Sequence, residues 1–392
     1  MEAKNLAPWI NEDFLKTVLE IDMGNRDDIS IIKYDVTTAD VKGGGYLSVL
    51  HRVTVQYTVN NLHPITLSLI IKSQPTDHFQ IEFSKNVNAF LKEITMYEKI
   101  LPAMNRLAGE KLFTFSPKCF LCPKSDVLIL EDLKKSGFSL LDRRERLDFE
   151  QSLLVIRSIA KFHALSIVLH REDPKIMETF SEGHYTKLMN STVESFHNQT
   201  FDALIFNVEK WEGLGRFVNK LDKLASKATD VMVEQTKPKE GEFKIVSNDK
   251  VEDVRFFDFQ LARFTSPAID LHFFLYLNLQ EQVLFQRFSE LIQEYHSELS
   301  NTLQCCGYDS NLITLAKLKE ELKRTEKFAL ITACTKLWFV VVNPGHVDDI
   351  VLPNDFSRGT GMFNSLRKVY SDSVLRKYYE QILPYFERKG LL

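Results

Sequence analysis

Three charged side chains and a glycine run in this chain have the types and spacing to handle a phosphorylated ligand. Lys42-Gly43-Gly44-Gly45 separates two β-rich stretches. Glycine has no Cβ, so backbone N–H groups there can approach phosphate oxygens closely. Lys72 ends the apolar run ITLSLIIK and could reach α- and β-phosphates as a point charge. Glu93 sits midway along a helical pattern and could hold that ammonium in place. Asp258 follows the run VRFF directly and offers a hard oxygen to Mg²⁺ bridging phosphates. Taken singly, each has an ordinary explanation: a flexible hairpin, a solvent-facing lysine, a solvated glutamate, a capping aspartate.

The elements that must position these residues are legible in the periodicity. Residues 1–30 read as a helix, with Leu6, Trp9, Ile10, Phe14, Leu15 and Val18 at helical spacing. Residues 31–37, 46–57 and 65–71 are rich in β-branched and aromatic types, with turn residues between them. Residues 79–100 predict a helix carrying Phe83, Val87, Phe90, Ile94 and Tyr97 on one face, with Pro102 after its end. Val127-Leu128-Ile129-Leu130 reads as a buried strand. From Arg144 onward long helical patterns dominate, broken by β-like runs at 243–246 and 254–257. The expected division is an N-terminal helical segment (1–30), a β-rich small lobe (31–133) and a mainly helical large lobe (134–392). Glycine turn, strand lysine, helix glutamate, buried strand and late aspartate thus follow one another in the order of a bilobal kinase.

Composition narrows the partners. The 392 residues carry 49 Lys and Arg against 53 Asp and Glu, a formal charge of −4, so no global field recruits nucleic acid or a membrane surface. Residues 328–342 form the longest apolar run, but Lys336 interrupts it and it is too short to span a bilayer. The first 20 residues carry charges throughout and no apolar signal region. Five cysteines, an odd count, fit reduced thiols, and the lone Cys119–Cys122 CxxC has no second half to complete a zinc site. A cytoplasmic protein is expected.

The stretches FLKEITMYEKILP, LILEDLKKSGF, AKFHALS and DVRFFDFQLARFTSPAIDLHFFL resemble the ecdysteroid kinase-like (CHK kinase-like) family, from about Asp35 to the C-terminus. That family is related to choline kinases and aminoglycoside phosphotransferases. The resemblance implies an α+β, protein-kinase-like bilobal fold. It also implies ATP- and Mg²⁺-dependent phosphorylation of a hydroxyl on a small lipophilic molecule such as an ecdysteroid. It places the phosphate loop at Gly43, Gly44, Gly45 and Ser48, the phosphate lysine at Lys72 and its partner at Glu93. Glu131 and Leu133 become hinge residues meeting the adenine, and Asp258 the metal ligand. Asp270 is implied as a buried structural carboxylate, and His163 as a helix-packing residue.

One part of the family pattern is missing. A catalytic loop, carried in the family as HGD and a short run ending in NN, supplies an aspartate to orient the acceptor and an asparagine for metal. No His-Gly-Asp occurs in this chain. After Val246 come Ser247-Asn248-Asp249-Lys250-Val251-Glu252-Asp253 and then the run into Asp258. Asp249 lies too near Asp258 to leave room for both a catalytic loop and a hairpin, so a block of about a dozen or more residues is absent. No catalytic residue is therefore assigned. The chain reads as a family kinase of impaired activity, as a pseudokinase that binds nucleotide or ligand, or as a truncated isoform from which an exon is missing.

Overall fold

The computed structural model describes residues 7–24, 28–39, 48–76, 78–109, 114–181, 190–237, 245–247, 255–341 and 361–392. The expected glycines at 43–45 lie outside these residues, as do Asn248 and Asp249.

Only part of the N-terminal segment is helical. The side chain of Asn11 caps the first helix, α1 (Glu12–Asp22), by accepting from the Phe14 N–H at 2.9 Å. Gly24 follows at φ 73°, a backbone conformation that suits glycine and ends the helix. Strand β1 (Ile29–Thr38) then pairs with β2 (Val49–Val59), and β2 with β3 (Ile65–Ser73). Asn60 and Asn61 turn the β2–β3 hairpin, both at positive φ, where asparagine is tolerated. A bulge interrupts the β1–β2 register between Ile31 and Lys33.

The stretch 79–100 is several helical pieces rather than one. α2 (His78–Asn86) and α3 (Ala89–Thr95) are separated by Asn88 at φ 53°. A π-helical turn (Met96–Ile100) leads into α4 (Leu101–Ala108). Pro102 therefore lies within continuing helix instead of following a helix end, directly after the wider π-helical turn. Two further strands, β4 (Cys119–Phe120) and β5 (Val127–Glu131), complete an antiparallel sheet in the order β1-β2-β3-β5-β4.

Alternation along these strands separates two cores. Val53, Val55, Tyr57, Leu69, Ile71, Val127 and Ile129 pack against Phe14, Leu15, Val18 and Leu19 of α1. That packing makes α1 part of the small lobe. Leu128 and Leu130 face the other way and join a larger core that continues through the helical lobe.

The large lobe is built on α5 (Phe149–Glu172), whose N-terminus is closed by a capping box between Asp148 and Gln151. Among the described residues this helix is the one long and apolar enough to cross a bilayer by length and composition. Yet 72% of its most apolar window is buried inside the protein, the mark of a core helix. After it come α6 (Asn190–Val208), α7 (Val218–Ala225) and α8 (Ala228–Thr236). The chain continues as β6 (Ile245–Ser247), β7 (Arg263–Thr265), α9 (Pro267–Asn278), α10 (Glu281–Cys305), α11 (Leu315–Arg324) and α12 (Glu326–Val341). α13 (Gly361–Tyr370) and α14 (Ser373–Arg388) close it.

The expected strand at 254–257 is corrected. Residues 255–257 are not in a strand, Val254 lies outside the described residues, and β6 pairs instead with β7, Ser247 opposite Arg263. Aromatic packing holds 255–257 where a ladder was expected: Phe256 meets Phe115 at 6.2 Å and Phe162 at 5.6 Å between ring centroids.

His272 on α9 is buried, with Nε2 2.9 Å from the Leu322 carbonyl oxygen and 3.1 Å from Thr325 Oγ1. Burial pushes its pKa down from 6.5 to about 4. A folded value below the unfolded one means its contribution is complete above pH 6.5 and lost as pH falls toward 4. Resistance to urea is therefore expected to fall as pH drops over that interval. His272→Gln should remove up to roughly 3 kcal/mol of the loss. An unchanged pH slope in the variant would show that His272 does not stay neutral.

Candidate functional site

Lys72 is the last charged residue of β3, and the strand's alternation directs it away from the α1 core. Leu69 and Ile71 enter that core, so Ile70 and Lys72 take the opposite face. Glu93 lies in α3, whose start is fixed by the left-handed Asn88. The two meet: Lys72 Nζ is 2.7 Å from Glu93 Oε2 and 3.0 Å from Oε1. The same ammonium is 2.8 Å from Asp258 Oδ1, so residues from three separate parts of the chain converge on one nitrogen. Lys72 and Glu93 are almost sealed, with side chains 6% and 1% exposed, while Asp258 keeps 21%.

Asp258 has φ 64° and ψ 59°, an unusual conformation for an aspartate, at the head of the short 3₁₀ turn Phe259–Leu261. Its neighbours hold it there. Phe259 packs edge-on against Tyr97 at 5.5 Å and stacks with Phe162 at 6.2 Å. The Phe259 backbone N–H also serves the Glu93 carboxylate. The segment just before is tied to the small lobe: the Phe256 N–H donates to the Phe115 carbonyl, and Arg255 donates to the Thr114 carbonyl.

The electrostatics leave one carboxylate in surplus. Burial works against the Lys72 ammonium, but the Asp258 and Glu93 carboxylates overcome it and raise its pKa. For Glu93, burial outweighs the attraction of Lys72 and pushes the carboxyl up to about 7. One ammonium cannot satisfy two carboxylates in a dry site, and the partly exposed Asp258 offers the oxygen best able to take a cation. Among the described residues no group of three or more His, Cys, Asp or Glu is built to hold a metal alone. A cation at Asp258 would thus need oxygens from a ligand or water.

The remaining expected residues lie nearby or apart as follows. Ser48 is buried just ahead of β2. Glu131 ends β5; its carboxylate accepts from the Lys118 N–H at 3.2 Å and from the Ser136 hydroxyl. The Leu133 carbonyl accepts from the N–H groups of Ser136 at 3.1 Å and Phe138 at 3.0 Å, closing the turn after the strand. His163 is buried between helices, with Nδ1 2.7 Å from Tyr295 Oη and Nε2 3.1 Å from Asp270 Oδ2. That pair packs helices and takes no place at the Lys72 cluster. Ten residues, 248–257, separate β6 from Asp258.

Two members of the site were missed from the sequence. Tyr97, buried beside Glu93 and Asp258, was read only as a helix-face residue. Arg52, whose Nε donates to Asp132 Oδ2 at 2.8 Å, was not singled out at all. The alternation of β2 carried the signal, because it puts Arg52 on the face shared with Lys72.

A model of the ecdysteroid kinase-like family matches residues 42–308, a shorter C-terminal reach than the sequence resemblance suggested. Among solved structures, the chain is similar to the gentamicin complex of APH(2″)-IIa, with 8% identity, TM-score 0.38, and coverage of 93% of this chain and 98% of that one. It is also similar to a mutant of aminoglycoside 2′-phosphotransferase-IIIa in complex with GDP, with 10% identity, TM-score 0.35, and coverage of 93% and 100%. No curated protein matches the chain at a significant level.

Removing the ammonium should expose how much this cluster matters. Lys72→Met leaves two carboxylates facing each other and is expected to cost about 3–5 kcal/mol in urea unfolding. Adding Glu93→Gln should recover part of it, with a coupling of about 1–3 kcal/mol. A Lys72→Met chain as stable as its parent would mean the ion cluster does not form.

Proposed function

The chain belongs to the ecdysteroid kinase-like family, and on that premise we propose that it binds a nucleotide at the Lys72–Glu93–Asp258 cluster while its phosphotransfer step is disabled. The family reaction is ATP-dependent phosphorylation of a hydroxyl on a small, lipophilic, ecdysteroid-type molecule. The observation that carries the reading is a contrast. The phosphate-side lysine, its helix partner and the metal-side aspartate converge on one point, yet the chain between β6 and Asp258 has no HGD and only ten residues.

The residues present fit the nucleotide and its metal in part. Lys72 would take phosphate oxygens, with Glu93 keeping the ammonium charged and aimed. Asp258 would hold Mg²⁺, which needs only one or two carboxylates when phosphates and waters complete its shell. Bound there, the metal supplies charge neutralisation for the phosphates. Gly43, Gly44, Gly45 and Ser48 would cover the phosphates, and the backbone at Glu131 and Leu133 would meet the adenine. The chain has no HGD, and no described residue takes the place of the aspartate that aligns the acceptor hydroxyl or the asparagine that shares the metal. Loss of general-base assistance alone lowers turnover by about 10²–10⁴-fold.

The same reading extends to surroundings. All five cysteines are free thiols, which supports a reducing, cytoplasmic location. A net charge of −4 supports a small-molecule partner rather than nucleic acid or membrane.

Calorimetry with MgATP on the parent, Lys72→Ala and Asp258→Ala should give binding to the parent and at least about tenfold weaker binding to each variant, one lost charged contact being worth that much. Equal affinities would place the nucleotide elsewhere. A family-type loop from HGD to NN inserted after Ser247, the last β6 residue, should raise phosphate transfer to a panel of ecdysteroids and other lipophilic alcohols. A parent that turns over as fast as the loop-bearing chain would overturn the disabled-step reading.

A further inference from the structure

The face of the small-lobe sheet that carries Lys72 also carries a second polar cluster that the phosphate site does not use. Leu50 lies opposite Lys72 in the β2–β3 register, Arg52 opposite Ile70 and Thr54 opposite Ser68. On the far side of β3, Leu128 lies opposite Lys72 and Leu130 opposite Ile70. Arg52 therefore shares the face of Lys72, two residues and about 7 Å along the strand. That direction leads to Glu131 and Leu133. In the other direction β3 ends at Ser73, one residue past Lys72. A nucleotide with its phosphates at Lys72 and its base toward Glu131 and Leu133 would run over this face past Arg52.

Arg52 is held there by a buried carboxylate. Its Nε donates to Asp132 Oδ2 at 2.8 Å, and Ser68 Oγ donates to the same oxygen at 2.8 Å. The Asp132 backbone N–H donates to the Ser68 carbonyl at 3.2 Å, so the turn after β5 is part of the same unit. Asp132 is 2% exposed and the Arg52 side chain 29%. Burial works against the Asp132 carboxylate, but the hydrogen bonds from Arg52 and Ser68 outweigh it and keep it charged. A guanidinium tied by Nε to a buried carboxylate has already lost much of its rotational freedom. The Arg52 side chain keeps 29% exposure, and a ligand meeting the guanidinium plane need not order it.

We propose that Arg52, tethered by Asp132 and Ser68, contacts the base of the bound nucleotide by laying its guanidinium plane against the ring. The inference rests on the nucleotide site proposed above. A planar cation against an aromatic face gains electrostatic attraction that an aliphatic side chain in the same row cannot supply. The competing role is a plain staple between β2 and the hinge turn, which would support the lobe without sensing the ligand's base.

The two roles separate when ligands with and without a base are compared on the full chain. Affinities for MgATP and for magnesium tripolyphosphate are measured on the parent, Arg52→Lys, Arg52→Gln and Lys72→Ala. The proposal expects both Arg52 variants to weaken MgATP by about 2–30-fold, the range of a cation–π contact, and to leave tripolyphosphate unchanged. Lys72→Ala should weaken both ligands. Ser68→Ala, which loosens the tether without removing a charge, should weaken MgATP alone, and it serves if the Arg52 variants fail to fold. Equal losses for the two ligands, or no loss for MgATP, overturn the base contact while leaving the phosphate site standing. A parent that binds neither ligand overturns the nucleotide site and this inference together.

Discussion

An ammonium stripped of water must be surrounded by anions, and Lys72 meets that demand from two directions at once. Glu93 approaches from the helix behind the sheet and Asp258 from the start of the large lobe's 3₁₀ turn. Much of the local architecture can be understood as what this convergence requires. The β3 register must send Lys72 to the face away from α1, the left-handed Asn88 must start α3 so that Glu93 comes level, and Asp258 must adopt a positive φ. Because 186 positions separate Lys72 from Asp258, the cluster cannot form until both lobes are in place. It can lock an arrangement already reached but cannot nucleate it.

The aromatic packing beside the cluster makes that lock affordable. Phe115, Phe162, Phe256 and Phe259 form a run of ring contacts that continues from the small lobe into α5 and the segment before Asp258. Apolar burial on this scale offsets the desolvation of three charged groups and the backbone cost at Asp258. Deeper in the large lobe, Tyr295, His163 and Asp270 form a buried chain that joins α10, α5 and α9. Polar groups there are satisfied by one another, as a dry interior demands.

Strand and helix identity in the small lobe was legible because period-2 alternation and turn residues are local signals. Lys72 and Glu93 stood out for the same reason, one ending a strand and the other centring a helical pattern, whereas Asp258 was reached through a strand at 254–257 that does not form. What the sequence hid was non-local. Arg52 reaches Asp132 across 80 positions, and no pattern in β2 announces a partner beyond the next strand. The pairing of β6 with β7 instead of 254–257 depends on which strand lies adjacent after folding, and short apolar runs do not encode that. The π-helical turn at Met96–Ile100 was hidden too, since the apolar residues keep a helical spacing through it. Residues 43–45 carry a sequence expectation alone.

Sheets with free edges invite further strands, and in this molecule the ten-residue β1 forms one outer edge. The bulge between Ile31 and Lys33 interrupts its ladder close to the middle of that edge. Ile32, 51% exposed, stands out at the irregularity, and the charged Lys33 is exposed beside it. A neighbouring chain trying to add a strand would meet a register break and a lysine where it needs an even row of backbone donors and acceptors. The irregularity that spoils β1 as an ideal strand thereby guards the small lobe against edge-to-edge aggregation.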